Sequence, residues 1–204
     1  RQRKMVSIED ACKELKGGEE NIEDLVEMDL KRSMNYFEPD EFQPIKRILL
    51  NIACNFKSLT YYQGMNYICI FLLHTFKDPD RAYSFFHYLT EAHLCPYFNK
   101  MFGGMMRLIW SSDKMIQIHA PDLWDRLRKG QVSSLHFSTA NIITLFSCLV
   151  KGSSSDLVLD IWELMFTDGI HTIIKALVYL LDQQHPHMSS IEPDQLLLSL
   201  KHLD

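Results

Sequence analysis

Apolar residues return along this chain at spacings of three and four. Phe42, Ile45, Ile48, Leu49, Ile52, Ala53 and Phe56 form one such series, as the buried face of an α-helix requires. Leu157, Ile161, Leu164 and Met165 form a second, and Ile173, Ile174, Leu177, Val178 and Leu181 a third. Sustained alternation with a period of two, the mark of a half-buried strand, is absent, so no sheet is expected. The stretch from Tyr67 to Phe76 is apolar nearly all round. It follows a glycine and lies among helices, which predicts a helix buried in the core.

Polar and special residues punctuate these stretches. Asp78-Pro79 reads as an N-cap followed by Pro at the first helical position. Pro121, followed by Asp122, opens another helix, and Ser7 with Asp10 three residues on resembles a capping box. Stop signals fall at Gly17-Gly18, Gly130, Gly152 and Gly169. Typical helix lengths then give about ten to twelve helices. Lys151 to Ser155 reads as a loop feeding a helix, and Gly103-Gly104 as a loop between two helical halves. The expected fold is all-α: a multi-helix domain of two closely packed helical subdomains with a cleft between them.

Composition narrows the function classes. Lys plus Arg is 21 and Asp plus Glu is 26, so the formal charge is 21 − 26 = −5. An acidic chain is a poor general binder of nucleic acid, which is held by clustered basic residues. The one tight basic cluster is Arg1-Gln2-Arg3-Lys4. The five cysteines, Cys12, Cys54, Cys69, Cys95 and Cys148, form no CxxC pair and read as buried free thiols. No Asn-x-Ser/Thr acceptor occurs, and the longest apolar run, Tyr67 to Leu73, is far short of a membrane span. These features suit a reducing, cytoplasmic setting. The chain opens at Arg1 rather than Met, and it reads as a piece of a longer polypeptide.

Most familiar chemistry is absent. There is no GxxxxGK[ST] loop to hold phosphates and no GxGxxG. HExxH is missing; His185 and His187 flank Pro186 with no obvious further ligands, and a surface loop is the better reading than a metal site. No GxSxG elbow or recognisable catalytic Cys context occurs. No cofactor or metal of the chain's own is expected.

Two polar segments stand out. In Val26-Glu27-Met28-Asp29-Leu30-Lys31-Arg32, Asp29 and Arg32 lie three apart, on one helix face. Alone, they read as a surface ion pair worth under about 1 kcal/mol. In Tyr61-Tyr62-Gln63-Gly64-Met65-Asn66, a Gln and a Gly stand at the mouth of an apolar helix. Gly64 lets a foreign group come close and the helix start offers free amides; a helix entrance with a capping amide is the equal alternative.

Together these segments resemble the TBC domain, the GTPase-activating domain that acts on Rab GTPases. Val26, Asp29 and Arg32 match its IxxDxxR signature, with Val for Ile, and Tyr61, Gln63, Gly64 and Met65 match YxQGM. Leu159 to Glu163, followed by Gly169, is similar to the family's third stretch, Arg-x-Trp-Asp, although Asp160 stands for Arg and Glu163 for Asp. After Arg32, Ser33 fits, but Met34-Asn35-Tyr36 lacks the family's Pro. The resemblance implies one TBC domain over residues 1–204, trimmed at its N-terminal end and open to trimming at the C-terminal end. It implies that Arg32 offsets charge on the transferring phosphate while Gln63 orients the attacking water. Asp29 would hold Arg32, and Tyr61, Gly64 and Asn66 would shape the same GTPase-binding surface. The chain would then be no enzyme itself but a lender of side chains in trans. Its partner would be a GTP-bound Rab-type GTPase carrying the GTP and Mg²⁺, with endomembrane association indirect, through that partner or through missing regions. The alternative is a helical module that binds a GTPase or another partner without activating it.

Overall fold

The computed structural model describes residues 4–15, 21–56, 58–59, 61–98, 103–151 and 156–188, with backbone alone for 184–188. Ten α-helices and no strand occur among them. In order they are α1 (Ile8–Leu15), α2 (Ile22–Arg32), α3 (Phe42–Asn55), α4 (Met65–Phe76), α5 (Pro79–Leu89), α6 (Gly103–His119), α7 (Pro121–Lys129), α8 (Leu135–Ile143), α9 (Asp156–Asp168) and α10 (Thr172–Met188). The chain divides into two compact units, Arg1–Phe102 with Val150–Ser155, and Gly103–Leu149 with Asp156–Asp204.

In the first unit α3 is central and packs against α1, α2, α4 and α5. Its predicted stripe is buried at Ile45, Ile48, Leu49, Ile52 and Ala53, while Phe42 and Phe56 at its ends are only half-buried. Leu50, Asn51 and Cys54 are buried as well, so the helix is enclosed over more of its circumference than one stripe. The α4 helix is the buried apolar helix expected, covered at Ile68, Cys69, Ile70, Phe71, Leu72 and Leu73. Asp78 caps α5 as predicted: the Arg81 amide donates to its Oδ1 at 2.9 Å. Ser7 caps α1 through the Asp10 amide at 3.2 Å. The reciprocal partner is Ser7 Oγ donating to Asp10 Oδ2 at 2.8 Å, because Asp is too short to reach back to the backbone.

Lys46 fastens α2 to α3. This buried ammonium donates to Glu23 and Glu27 at 2.7 Å each. Burial pulls its pKa down, but the two glutamates outweigh that and leave it raised. The hydrogen bond and charge of Lys46 in turn hold Glu27 below the usual carboxylate range.

In the second unit α10 packs on α6, α8 and α9. Its predicted stripe is buried at all five positions. That of α9 is rotated from the expectation: Val158, Ile161, Trp162 and Met165 are buried, whereas Leu157 and Leu164 are exposed. Trp162 sets this rotation, since its indole Nε1 must point inward to donate to the Leu145 carbonyl at 2.8 Å. Asp160 and Glu163 lie on the exposed face of the same helix. Gly103 and Gly104, expected in a loop, are the first residues of α6, although the division between units falls at that point. The His185-Pro186-His187 segment, expected in a loop, lies within the last turns of α10. Gly130 and Gly169 follow α7 and α9 as predicted; Gly17-Gly18 and Gly152 lie outside the described residues.

Candidate functional site

All six residues singled out above, Asp29, Arg32, Tyr61, Gln63, Gly64 and Asn66, fall in the first unit. Arg32 is the last residue of α2, and Gln63 stands in the turn that precedes α4. Two hydrogen bonds join these segments. Tyr61 Oη donates to Asp29 Oδ2 at 2.8 Å, and Asn66 Nδ2 donates to Ser33 Oγ at 3.0 Å. Arg32 lies between Asp29 and Ser33 in sequence, and Gln63 lies between Tyr61 and Asn66. The two ties therefore bracket both residues, and all four side chains that make them are buried.

Local structure explains the end of α2. Ser33 Oγ donates to the Asp29 carbonyl at 2.8 Å, doubling the bond that the Ser33 amide makes to the same acceptor at 3.1 Å as the helix ends. The following Met34–Tyr36 segment is a 3-10 turn. Tyr36 packs edge-on against Tyr67 of α4, with ring centroids 4.9 Å apart, and Lys151 Nζ lies 5.5 Å from the Tyr36 ring. This packing directs the chain past Arg32 where the family's Pro is missing.

Asp29 and Arg32 are not the surface pair their spacing suggests. Asp29 is buried, while the Arg32 side chain is 60% exposed, and Nη1 stands 3.4 Å from Asp29 Oδ1. Burial, then the charge of Asp29 and its hydrogen bond, push the Tyr61 phenol far up, so it remains a neutral donor.

Gln63 is exposed, and no hydrogen bond occupies its side chain among the described residues. Its side-chain amide does not cap the helix that follows. The residue at the cap is Gly64, at φ 113°, and the helix start has no side-chain cap. That backbone conformation is one that side chains with a Cβ rarely adopt. On the other side, Tyr62 is buried and stacks on Phe98 at 5.4 Å. Gln63 is thus the exposed residue between buried anchors on both flanks.

Sequence reasoning missed Ser33 as a structural partner and missed Lys46 altogether. Ser33 carried the signal of a hydroxyl one residue past a helix end. Lys46 carried only the signal of a charge inside an apolar stripe. The cysteines are all free; Cys54 and Cys69 are buried, and Cys12, Cys95 and Cys148 are half-buried. Burial pushes the Cys69, Cys95 and Cys148 thiols up. Burial, aided by Glu23, takes Cys12 to about 11. Such thiols are poor nucleophiles at neutral pH. Among the described residues no three His, Cys, Asp or Glu side chains are grouped to hold a metal ion, and no helix is long and apolar enough to cross a membrane.

Comparison with known proteins identifies the family. The profile of the Rab-GTPase-TBC domain matches residues 2–188. The chain belongs to that family. GTPase-activating protein GYP5 of Saccharomyces cerevisiae is 24% identical over 177 residues, 86% of this chain but 19% of that protein. Mitotic check point protein BUB2 of the same yeast is 27% identical over 146 residues, 71% of this chain and 47% of that protein. The chain thus spans less than half the length of these relatives. Among solved structures, the Chlamydomonas flagellar RabGAP TBC domain shares the fold, with a TM-score of 0.78 at 17% identity, over 95% of this chain and 65% of that one.

Proposed function

We propose that the chain activates a Rab-type small GTPase by lending Arg32 and Gln63 to the GTP site of that partner. Hydrolysis concentrates negative charge on the phosphate oxygens in the transition state. A guanidinium brought to them offsets it, worth roughly 10³ to 10⁵ in rate. An amide both donates and accepts, so Gln63 can orient the attacking water. GTP and Mg²⁺ belong to the partner in this reading, and the chain contributes polar side chains borne on segments already tied to each other.

The observation that supports this most directly is the pair of buried hydrogen bonds, Tyr61 to Asp29 and Asn66 to Ser33. They fix the segments that bear Arg32 and Gln63 to each other and leave both of those side chains exposed. Family membership supports the same reading.

The test is phosphate release from a panel of GTP-loaded Rab-type GTPases. Arg32→Ala is expected to cut the stimulated rate by roughly 10³ or more. Gln63→Ala should cut it by about 10², the order measured for one lost transition-state donor. Both should melt as the wild type does, because neither side chain is buried. Arg32→Lys should fail as well, since an ammonium cannot reproduce the planar fork. Stimulation by Arg32→Ala at the wild-type level would sink the proposal. Binding without acceleration across the panel would instead leave a non-catalytic module.

A further inference from the structure

The two oxygens of Asp29 meet two donors in unequal ways. Tyr61 Oη approaches Oδ2 at 2.8 Å, the ordinary length of a strong O–H···O bond. Arg32 approaches Oδ1 through one nitrogen at 3.4 Å, well beyond the range of a full charge-assisted bond. It makes no bidentate fork, and most of its side chain faces solvent while Asp29 is buried. A buried carboxylate with no other short partner would draw the neighbouring guanidinium in and hold it.

We infer that Tyr61 is a positioning residue that sets how firmly Arg32 is held, by satisfying the Asp29 carboxylate and leaving the guanidinium loosely tethered and free to depart. The inference rests on the proposed role of Arg32. An arginine that must move onto another protein's phosphates works best with a weak resting contact. Asp29 supplies the contact, and Tyr61 keeps it weak. Removing the phenol hydroxyl leaves Oδ2 orphaned and turns the full charge of Asp29 towards Arg32.

The experiment compares wild type, Tyr61→Phe, Asp29→Asn and the double variant. It uses single-turnover GTP hydrolysis on a responsive GTPase, and NMR of the Arg32 guanidinium in the chain alone. Tyr61→Phe is expected to lower the maximal rate about tenfold, a coupling usual for groups sharing one hydrogen-bonded network. The half-saturating concentration should not change in step. In the Asp29→Asn background the same substitution should cost nothing, because the charge it redirects is gone. The Arg32 guanidinium should rotate more slowly in Tyr61→Phe than in the wild type, and no more slowly in the double variant.

Tyr61 also lies two residues before Gln63, so Phe could act by displacing that turn. The loss would then persist in the Asp29→Asn background, and that result overturns the inference. Unchanged Arg32 rotation in Tyr61→Phe overturns it too. If the wild type stimulates no GTPase on the panel, the functional reading fails and the rotation measurement alone decides the inference. Should Tyr61→Phe fail to fold, replacement of Tyr61 by 4-aminophenylalanine, which keeps a donor, takes its place. Wild-type Arg32 rotation then supports the inference, and slowed rotation overturns it.

Discussion

Gly64 carries a backbone angle that its neighbours do not. At φ 113° a Cβ is strained, and strain of this kind costs of order 1–3 kcal/mol. Gly64→Ala is therefore expected to lower the unfolding free energy by about that much, measured by urea titration. The same variant should lose GTPase stimulation beyond its loss of stability, because relief of the strain re-aims Gln63. The residue scale is also where the sequence was least able to rank its own signals. Arg32 alone reads as half of an ion pair, and the i, i+3 spacing with Asp29 gives no hint that one partner is buried and the other exposed. Asp29 is buried and takes its short hydrogen bond from Tyr61, 32 positions away, and no local pattern reports a contact of that span.

At the scale of elements, the tie between α2 and α3 is electrostatic and has a pH window. Glu27 is depressed in the fold, so its contribution is present above the ordinary glutamate pKa near 4.5 and is lost as pH falls through the lower folded value. Lys46 is raised above 10.5, so its contribution is present below that pH and is lost as pH rises through the higher folded value. Urea titrations across pH should find Lys46→Met flattening both limbs relative to the wild type. At neutral pH Lys46→Ala is expected to cost about 1–3 kcal/mol, less than a fully buried pair because both glutamates are about one-third exposed. The helices themselves were largely legible. Asp78-Pro79, Pro121, Gly130 and Gly169 mark boundaries where local backbone chemistry acts. The α9 stripe was misplaced because Trp162 turns its face inward to reach the Leu145 carbonyl. A lone Trp in an amphipathic pattern does not say which side its hydrogen-bond partner lies on.

At the scale of the whole molecule, each unit has its own core. Leu177 on α10 is fully buried in the second unit. Leu177→Ala removes a core side chain and is expected to cost about 2–5 kcal/mol. Hydrogen exchange should show the loss first in α6, α8, α9 and α10, while the amides of α3 and α4 in the first unit keep more of their protection.

The sequence by itself determined the class of fold and most helix ends. Both follow from local rules: apolar residues repeat at the helical period, and caps and glycines act within one turn. It also held the six residues of the candidate site, in two short segments whose meaning came from their family resemblance. Only the tertiary structure decided that those segments are joined, and how. The bonds from Tyr61 to Asp29 and from Asn66 to Ser33 span 32 and 33 residues. They form because α2 and α4 both pack in the first unit. Burial of the groups that make these bonds is what leaves Arg32 and Gln63 as the exposed polar side chains of the site.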